Sequence, residues 1–596
     1  MFRQVYDPVH NSLGLSTIFA VLPLLTVFLL LGVVRVRAQL AALSALVVAL
    51  VIAVVVYSMP LGQALSAGAE GAAFGLFPIM WIVVNAIWIY TMTVSTGHFD
   101  VLRRSFGAVS DDQRIQAIII AFCFGALLEA LAGFGTPVAI TAVMLIALGF
   151  PKLKAASVAL VANTAPVAYG AIAVPITTLA KVTGLPEQHL ASTVGRQTPV
   201  LALLVPLALV FMVDGHRGVR QTWPAALLAG VGFGVLQFVC SNYISIALTD
   251  ILAALGGAAA VVLLLRVWQP AQLLSAETYA EEQRHLAPVE VTGSGYSEGS
   301  GHSGESGHSG ESGNSVEAEY SDEAEYSDEA GHSGEAGSAR LGLAAPAGSD
   351  STAEVARAFA PYLIIIAVFS LAQVSAIKTF LAKGVHVFAW PGLHIQTPAG
   401  KEPSAVTFSF GWLPAAGTLL LLAGLITMLA LRIGPAPAAR DYGRSLVQLR
   451  WAILTVALVL ALAYVMNLSG QTVTIGRWMA GAGGVFALLS PILGWLGVAV
   501  TGSDTSSNAL FGTLQVSAAN GAQLPPVLLA AGNSSGGVLG KMISPQNLAI
   551  AAAAVGMDGK EGDLLRKVLP WSLAFLAFMC VLVYLQSVSA LSWMLP

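Results

Sequence analysis

Charge is scarce in this chain of 596 residues: Asp, Glu, Lys and Arg together make up 10%, where a soluble domain carries about 25%. That scarcity excludes a soluble protein. Hydrophobic residues reach 56%, too many for a soluble chain of this length to hide, so the bilayer must be the solvent. Cysteine is nearly absent too. Cys123, Cys240 and Cys580 lie in separate apolar runs without metal-ligand spacing; they read as small core residues, and nothing calls for a disulfide framework or a metal. No G-x-x-x-x-G-K-[ST] loop occurs, which leaves direct drive by ATP unsupported, and no cofactor is implied. Basic residues are scattered over loops and form no patch suited to nucleic acid. The first apolar run, from Leu13 to Val33, lacks a small-residue cleavage site and is too long for a signal peptide, so it reads as a retained helix.

Apolar segments of roughly 18 to 25 residues can each span a bilayer. They fall near 14–33, 38–58, 72–94, 155–180, 198–213, 224–242, 244–265, 358–376, 411–432, 451–468, 526–555 and 568–590. Two stretches, 115–150 and 480–520, are too long and too broken by Gly, Pro and Ser to be ordinary spans. Basic residues favour cytoplasmic loops. Arg35 and Arg37 place the first loop inside and the N-terminus outside. Arg103, Arg104 and Arg114 before the 115–150 stretch, with Lys152 and Lys154 after it, put both its flanks inside. The 480–520 stretch starts and ends outside. The expectation is an all-α polytopic membrane protein of about twelve crossings plus two re-entrant hairpins of opposite orientation.

Residues 267–356 form a linker of different material. Gly-His-Ser-Gly-Glu recurs at 301, 307 and 331, and Ala-Glu-Tyr-Ser-Asp-Glu at 318 and 324. Such a polar, acidic, Gly/Ser-rich segment cannot offset the entropy of folding and is expected to be disordered and cytoplasmic. His302, His308 and His332 suggest weak metal binding at most.

Two distant stretches share a pattern. Gly133-Phe-Gly135-Thr136-Pro is followed by Asn163-Thr-Ala-Pro-Val-Ala-Tyr-Gly170 and Pro175. Gly502-Ser-Asp504-Thr-Ser506 is followed by Asn533-Ser-Ser-Gly-Gly-Val-Leu-Gly540 and Pro545. The Asn-to-Gly and Asn-to-Pro steps are identical in the two copies. Together with the opposed hairpins this predicts inverted repeats, roughly 13–215 and 358–590. Gly and Pro break helices at membrane depth, and unpaired backbone is tolerable there only inside protein or lining a wet cavity. Paired broken segments in inverted halves are the sequence pointer to a carrier's substrate site.

An ionisable side chain at the bilayer centre costs about 2.5 to 3.5 kcal/mol on insertion scales, so each needs a reason. Glu129 precedes Gly133 by one turn. A proton carrier and a structural acid bonded to hairpin backbone both fit it. Asp504 sits at the second hairpin tip, where it could carry a proton, bind a cation, pair with Lys541 or cap a half-helix. Lys541 follows the Asn533–Gly540 segment, where it could meet a substrate carboxylate or snorkel toward the cytoplasm. Gly133, Gly135, Thr136, Asn163, Thr164, Ser506, Asn508, Asn533, Ser534 and Lys541 are the candidate substrate-binding set; Glu129 and Asp504 are the candidate proton-coupling groups. A rival motif, Gly532-Asn-Ser534-Ser-Gly536, matches the hydrolase G-x-S-x-G elbow. That elbow needs a preceding strand in a soluble α/β sheet and a His nearby, and no His falls in the broken segments.

At these residues the sequence resembles the L-lactate permease family of bacterial carriers. The blocks are Phe124-Gly-Ala-Leu-Leu-Glu-Ala-Leu-Ala-Gly-Phe-Gly-Thr-Pro137, Asn163-Thr-Ala-Pro166, Val194-Gly-Arg-Gln197, Asp214-Gly-His-Arg217, Gly494-Trp-Leu-Gly497, Thr501 to Phe511 and Gly540-Lys-Met-Ile-Ser-Pro-Gln546. The resemblance spans nearly the whole chain except the linker. It implies proton-coupled uptake of L-lactate, with D-lactate and glycolate, across the bacterial plasma membrane. It also implies an elevator-type ion-transporter fold, for which a homodimer is an analogy by fold alone. Thr136 stands where the resemblance leads one to expect Ala, and the acidic linker has no counterpart. Two other classes remain: a sodium-coupled carrier for another small carboxylate, and a membrane serine hydrolase using Ser534.

Overall fold

The structure, a computed structural model, describes residues 1–34, 36–107, 109–133, 135–275, 278, 350–372, 374–557 and 559–596. Arg35 and most of the expected linker lie outside the described residues. Among those described, strands are limited to two pairs. Phe2–Arg3 lies beside Ile395–Gln396, and Val385–Ala389 beside Thr407–Gly411. Everything else of regular structure is helical.

Among the described residues, ten helices are long and apolar enough to cross a membrane, or eleven if the bent pair Lys152–Ala162 and Val167–Thr183 is one span. Two of the ten, Gln113–Leu131 and Gln471–Thr501, belong to hairpins, while Glu187–Ile244 crosses twice. The bent pair, the short Ala416–Ala430 and the segment Pro526–Ala554 lie where three further crossings are expected. The double crossing turns at Asp214 and Gly215, where Gly215 has φ +58°. Gly218 then faces Val210, Gly230 faces Ala202 and Gly234 faces Pro199, the pairing of antiparallel neighbours. Some limits differ from expectation. The span expected at 72–94 begins at Leu61 and is kinked at Phe77, and that expected at 451–468 begins at Pro435.

The first hairpin runs up Gln113–Ala132, turns after Gly133 with Gly135 at φ +85°, and returns along Thr136–Ala147. Its two ends meet where Gln113 Nε2 donates to the Leu148 carbonyl at 2.7 Å. The second rises along Phe486–Thr501, turns at Gly502 and returns along Asp504–Ala522. It hangs from the opposite end of the bundle, beside the N-terminus: the preceding Gly470 packs on Val5 and Tyr6. Arg104, Arg114, Lys152, Lys154, Arg266, Lys560 and Arg566 flank the other end, which the charge rule makes cytoplasmic.

Two bodies are distinguishable. In one, Pro435–Ser469 packs on Ala38–Val55, Leu61–Phe74 and Trp81–Ser95, with Thr352–Ala372 and Ala416–Ala430 alongside. The other holds both hairpins and both broken helices, with Phe486–Thr501 against Pro526–Gly540 and Glu187–Val239 against Thr249–Leu265. Each draws on both halves of the chain, so 1–266 and 357–596 interleave.

The cytoplasmic base of the first hairpin is held by a buried ion network. Arg114, 1% exposed, meets Asp112 at 2.6 Å and Asp214 at 3.1 Å. It also donates to the Gln272 carbonyl at 2.6 Å, and the Leu274 N–H donates to Asp112. The first residues of the expected linker are therefore docked rather than disordered. Removing one member of a buried ion network leaves the others uncompensated, at about 3–5 kcal/mol. Arg114→Ala is expected to lower the thermal unfolding midpoint in detergent sharply, whereas Arg566→Ala, whose ion pair is exposed, should leave it unchanged.

Candidate functional site

Glu129 lies on the rising arm of the first hairpin and Lys541 directly after the helix Pro526–Gly540. They meet at 2.5 Å, both nearly sealed from solvent. This resolves two open readings: Lys541 neither snorkels nor pairs with Asp504. Asn163 Nδ2 donates to the second carboxylate oxygen of Glu129 at 3.1 Å. A Cβ on Gly170 would lie 2.8 Å from Glu129 Oε1, and one on Gly133 3.2 Å, so backbone of the hairpin tip and of the broken helix wraps this carboxylate.

The first broken helix stops at Asn163 and bends by 63°. Thr164 Oγ1 donates to the Val161 carbonyl at 2.8 Å, satisfying backbone that the break exposes. After the turn Val167–Tyr169, three successive residues, Ala171, Ile172 and Ala173, take φ of 45°, 58° and 60°. A left-handed turn of side-chain-bearing residues costs about 1–2 kcal/mol per residue. It persists because its surroundings dictate it. Ile172 and Ala173 line a cavity of about 630 Å³. This cavity lies at the N-terminal end between the two bodies, with Lys181, Glu187 and Lys378 in its wall.

Asp504, 3% exposed, forms the second cluster at the start of the returning arm of the second hairpin. Ser534 Oγ donates to Asp504 Oδ2 at 2.6 Å and Asn508 Nδ2 at 3.3 Å. Asn533 Nδ2 donates to Asn508 Oδ1 at 2.9 Å, and Gln515 Nε2 to Asn533 Oδ1 at 3.2 Å. Asp504 Oδ1 has no hydrogen-bond partner among the described residues, and a Cβ on Gly537 would come within 2.3 Å of it. Ser534, Gly537 and Lys541 share one face of their helix, by spacing of three and seven. Ser506 is buried one turn into the arm, its N–H capped by Ser503 Oγ. Thr136 opens the returning arm of the first hairpin, half-buried.

One expectation is corrected here. The segment Asn533–Gly540 is continuous helix, and the second break falls at Lys541–Ser544. Its glycines serve close approach instead: Gly536 sits against the Pro491 carbonyl and Gly540 against that of Trp495. Ser534 accordingly lies inside a helix and not on a strand-to-helix elbow, which removes the geometry a hydrolase needs.

Both hairpin tips rest on the helix that follows this second break, Pro545–Ala554. Gly135, at φ +85°, packs on Asn547 and Ile550, and Gly502, at φ +74°, packs on Gln546. A side chain at either tip residue would be strained by its positive φ and would displace the end of the Ile550 or Gln546 side chain.

Several polar residues of this region escape notice in the sequence. Ser535 Oγ donates to Gln197 Oε1 at 2.6 Å, and Gln197 Nε2 to Gln586 Oε1 at 2.8 Å. Asp250 accepts from Gln237 Nε2 at 3.1 Å. Glu70 is buried in the other body. The signal was there for the two acids, each alone in an apolar stretch.

Two opposed re-entrant hairpins, two broken helices and buried charges where they meet define a polytopic membrane transport protein. The sequence comparisons name its family. The L-lactate permease model matches residues 16–297 and 327–589, and the chain belongs to that family. It is 39% identical to the glycolate permease GlcA of Escherichia coli, over 98% of both chains. To the L-lactate permease of Bacillus subtilis it is 38% identical over the full length of both. Among solved structures it is similar to the YdaH transporter of Alcanivorax borkumensis, at 12% identity and TM-score 0.42, covering 87% of this chain and 86% of that one. The relatives are bacterial, and the chain is a multi-pass bacterial membrane protein.

Proposed function

We propose that this protein imports L-lactate, with D-lactate and glycolate, by proton symport, its hairpin body moving against the other as an elevator. The observation that carries the reading is the buried Glu129–Lys541 pair, 412 residues apart in sequence and closed at the first hairpin tip. A carboxylate substrate and Glu129 compete for one ammonium. Protonation of Glu129 withdraws its charge, so Lys541 and hairpin amides take the substrate carboxylate while the buried charge stays balanced. Asn163, Asn508, Asn533 and Ser534 supply groups for the 2-hydroxyl, with Gly133, Gly135, Thr136, Thr164 and Ser506 around them. Asp504 is the alternative proton carrier. The names of the lactate and glycolate relatives support the substrate class.

The test is uptake of radiolabelled L-lactate into proteoliposomes, with sodium absent and an imposed gradient acidic outside. Accumulation above equilibrium only with the gradient is expected, at about tenfold per pH unit for one proton per lactate. Accumulation that needs sodium instead would point to a sodium-coupled carrier.

A further inference from the structure

Asp250 is a buried acid that the reading above leaves unused. It stands on the first turn of the helix Thr249–Leu265 and is 1% exposed. One oxygen accepts from Gln237 Nε2 at 3.1 Å; the other, Oδ2, has no hydrogen-bond partner among the described residues. No ion pair to Asp250 occurs among those residues either. A buried carboxylate with one oxygen undonated and no counter-ion is costly as an anion, and taking up a proton removes that charge.

Its position lies between two places already described. Ser245, Ile246 and Ala247, one turn earlier in the chain, line the cavity at the N-terminal end. On the other side, the Asp250 helix packs against the hairpin arm bearing Glu129. The other titratable groups facing it are Tyr169, whose hydroxyl donates to the Ala191 carbonyl, and Cys240. Gln237, which holds Asp250, also reaches the Ala165 carbonyl in the first helix break and accepts from Thr198 Oγ1. Asp250 is thus tied, through Gln237, to the first helix break, whose Asn163 donates to Glu129.

We propose that Asp250 is the group through which protons from the outer cavity reach Glu129; this rests on the proton-coupled reading. One proton moves and no electrons do. The Asp250 carboxyl O–H bond breaks as an O–H bond forms on the Glu129 carboxylate, freeing Lys541, and a new O–H bond then forms at Asp250 as one breaks on a hydronium arriving from the cavity. The role is one of rate, since the proton that stays with the substrate resides on Glu129.

Asp250→Asn tests it in proteoliposomes, acidic outside and free of sodium. The initial rate of gradient-driven lactate uptake should fall at least about tenfold. The final accumulation should match wild type, and lactate–lactate exchange, which needs no net proton movement, should persist. An unchanged initial rate overturns the proposal. So does loss of final accumulation with exchange intact, which would make Asp250 the carrier itself. If wild-type uptake ignores the gradient, the symport reading fails and the relay with it; wild type and variant separate the two failures. Should Asp250→Asn not assemble, Asp250→Glu decides, because a carboxyl moved by one methylene must shift the pH dependence of the uptake rate. An unshifted profile overturns the assignment.

Discussion

Lys541→Ala is expected to abolish lactate accumulation and to destabilise the protein at once, and the two effects can be separated. The ammonium meets Glu129 at 2.5 Å in a site almost closed to water. Deleting one partner strands the other charge in a low-dielectric interior, at about 3–5 kcal/mol. Replacing both partners by uncharged groups of similar shape is often neutral or stabilising. The double variant Glu129→Gln, Lys541→Met should therefore recover the thermal stability that Lys541→Ala loses, while transport stays absent. Unfolding midpoints in detergent and uptake in proteoliposomes, read on the same preparations, check this. A Lys541→Ala protein with normal lactate affinity would remove Lys541 from the site. Full transport by the double variant would remove the pair from the mechanism.

The second large effect comes from residues without side chains. Gly494→Ala and Gly536→Ala should each cripple assembly, because the helices Phe486–Thr501 and Pro526–Gly540 touch backbone to backbone. A Cβ on Gly494 would lie 1.8 Å from the Asn533 carbonyl oxygen, and one on Gly536 2.2 Å from that of Pro491. Backbone cannot swing aside as a flexible side chain can, so the helices must part. Over-packing costs about 1–3 kcal/mol in ordinary cores. Here separation would also pull Ser534 and Asn533 from the Asp504 cluster, and transport should fall with stability. Gly443→Ala is the control. Its Cβ meets nothing within 4 Å on the long helix Pro435–Ser469. That change should leave stability equal or raise it by about 0.5–1 kcal/mol, the helix-interior difference between Gly and Ala. Thermal unfolding of the three variants ranks them.

Crossings and hairpins were legible because the apolar runs have bilayer length and the basic residues mark one end. Glu129, Asp504 and Lys541 were legible for a similar reason: a charge inside an apolar run has few bland explanations. Their partners were not. Nothing local announces that Glu129 meets a residue 412 positions away, or that Asp504 bonds Ser534 and not Lys541. The second helix break was misplaced because glycine has two uses. Gly536 and Gly540 look like helix breakers in sequence, yet they are there to admit a neighbouring helix. Glu70 was passed over because it fell just outside the span expected at 72–94, where charge is ordinary, whereas Asp250 lay inside the span expected at 244–265 and its isolation there was the signal. Gln197, Gln237 and Gln586 carry no charge to draw attention, although their bonds link four helices.

The helix Pro545–Ala554 touches both hairpin tips, Gly135 through Asn547 and Ile550 and Gly502 through Gln546. Two hairpins that enter from opposite ends of the bundle are thus hung on a single post. In a close-packed interior a shift at one contact is passed to its neighbours. Any displacement of one hairpin tip would therefore move the surface on which the other rests, and the two tips are mechanically coupled.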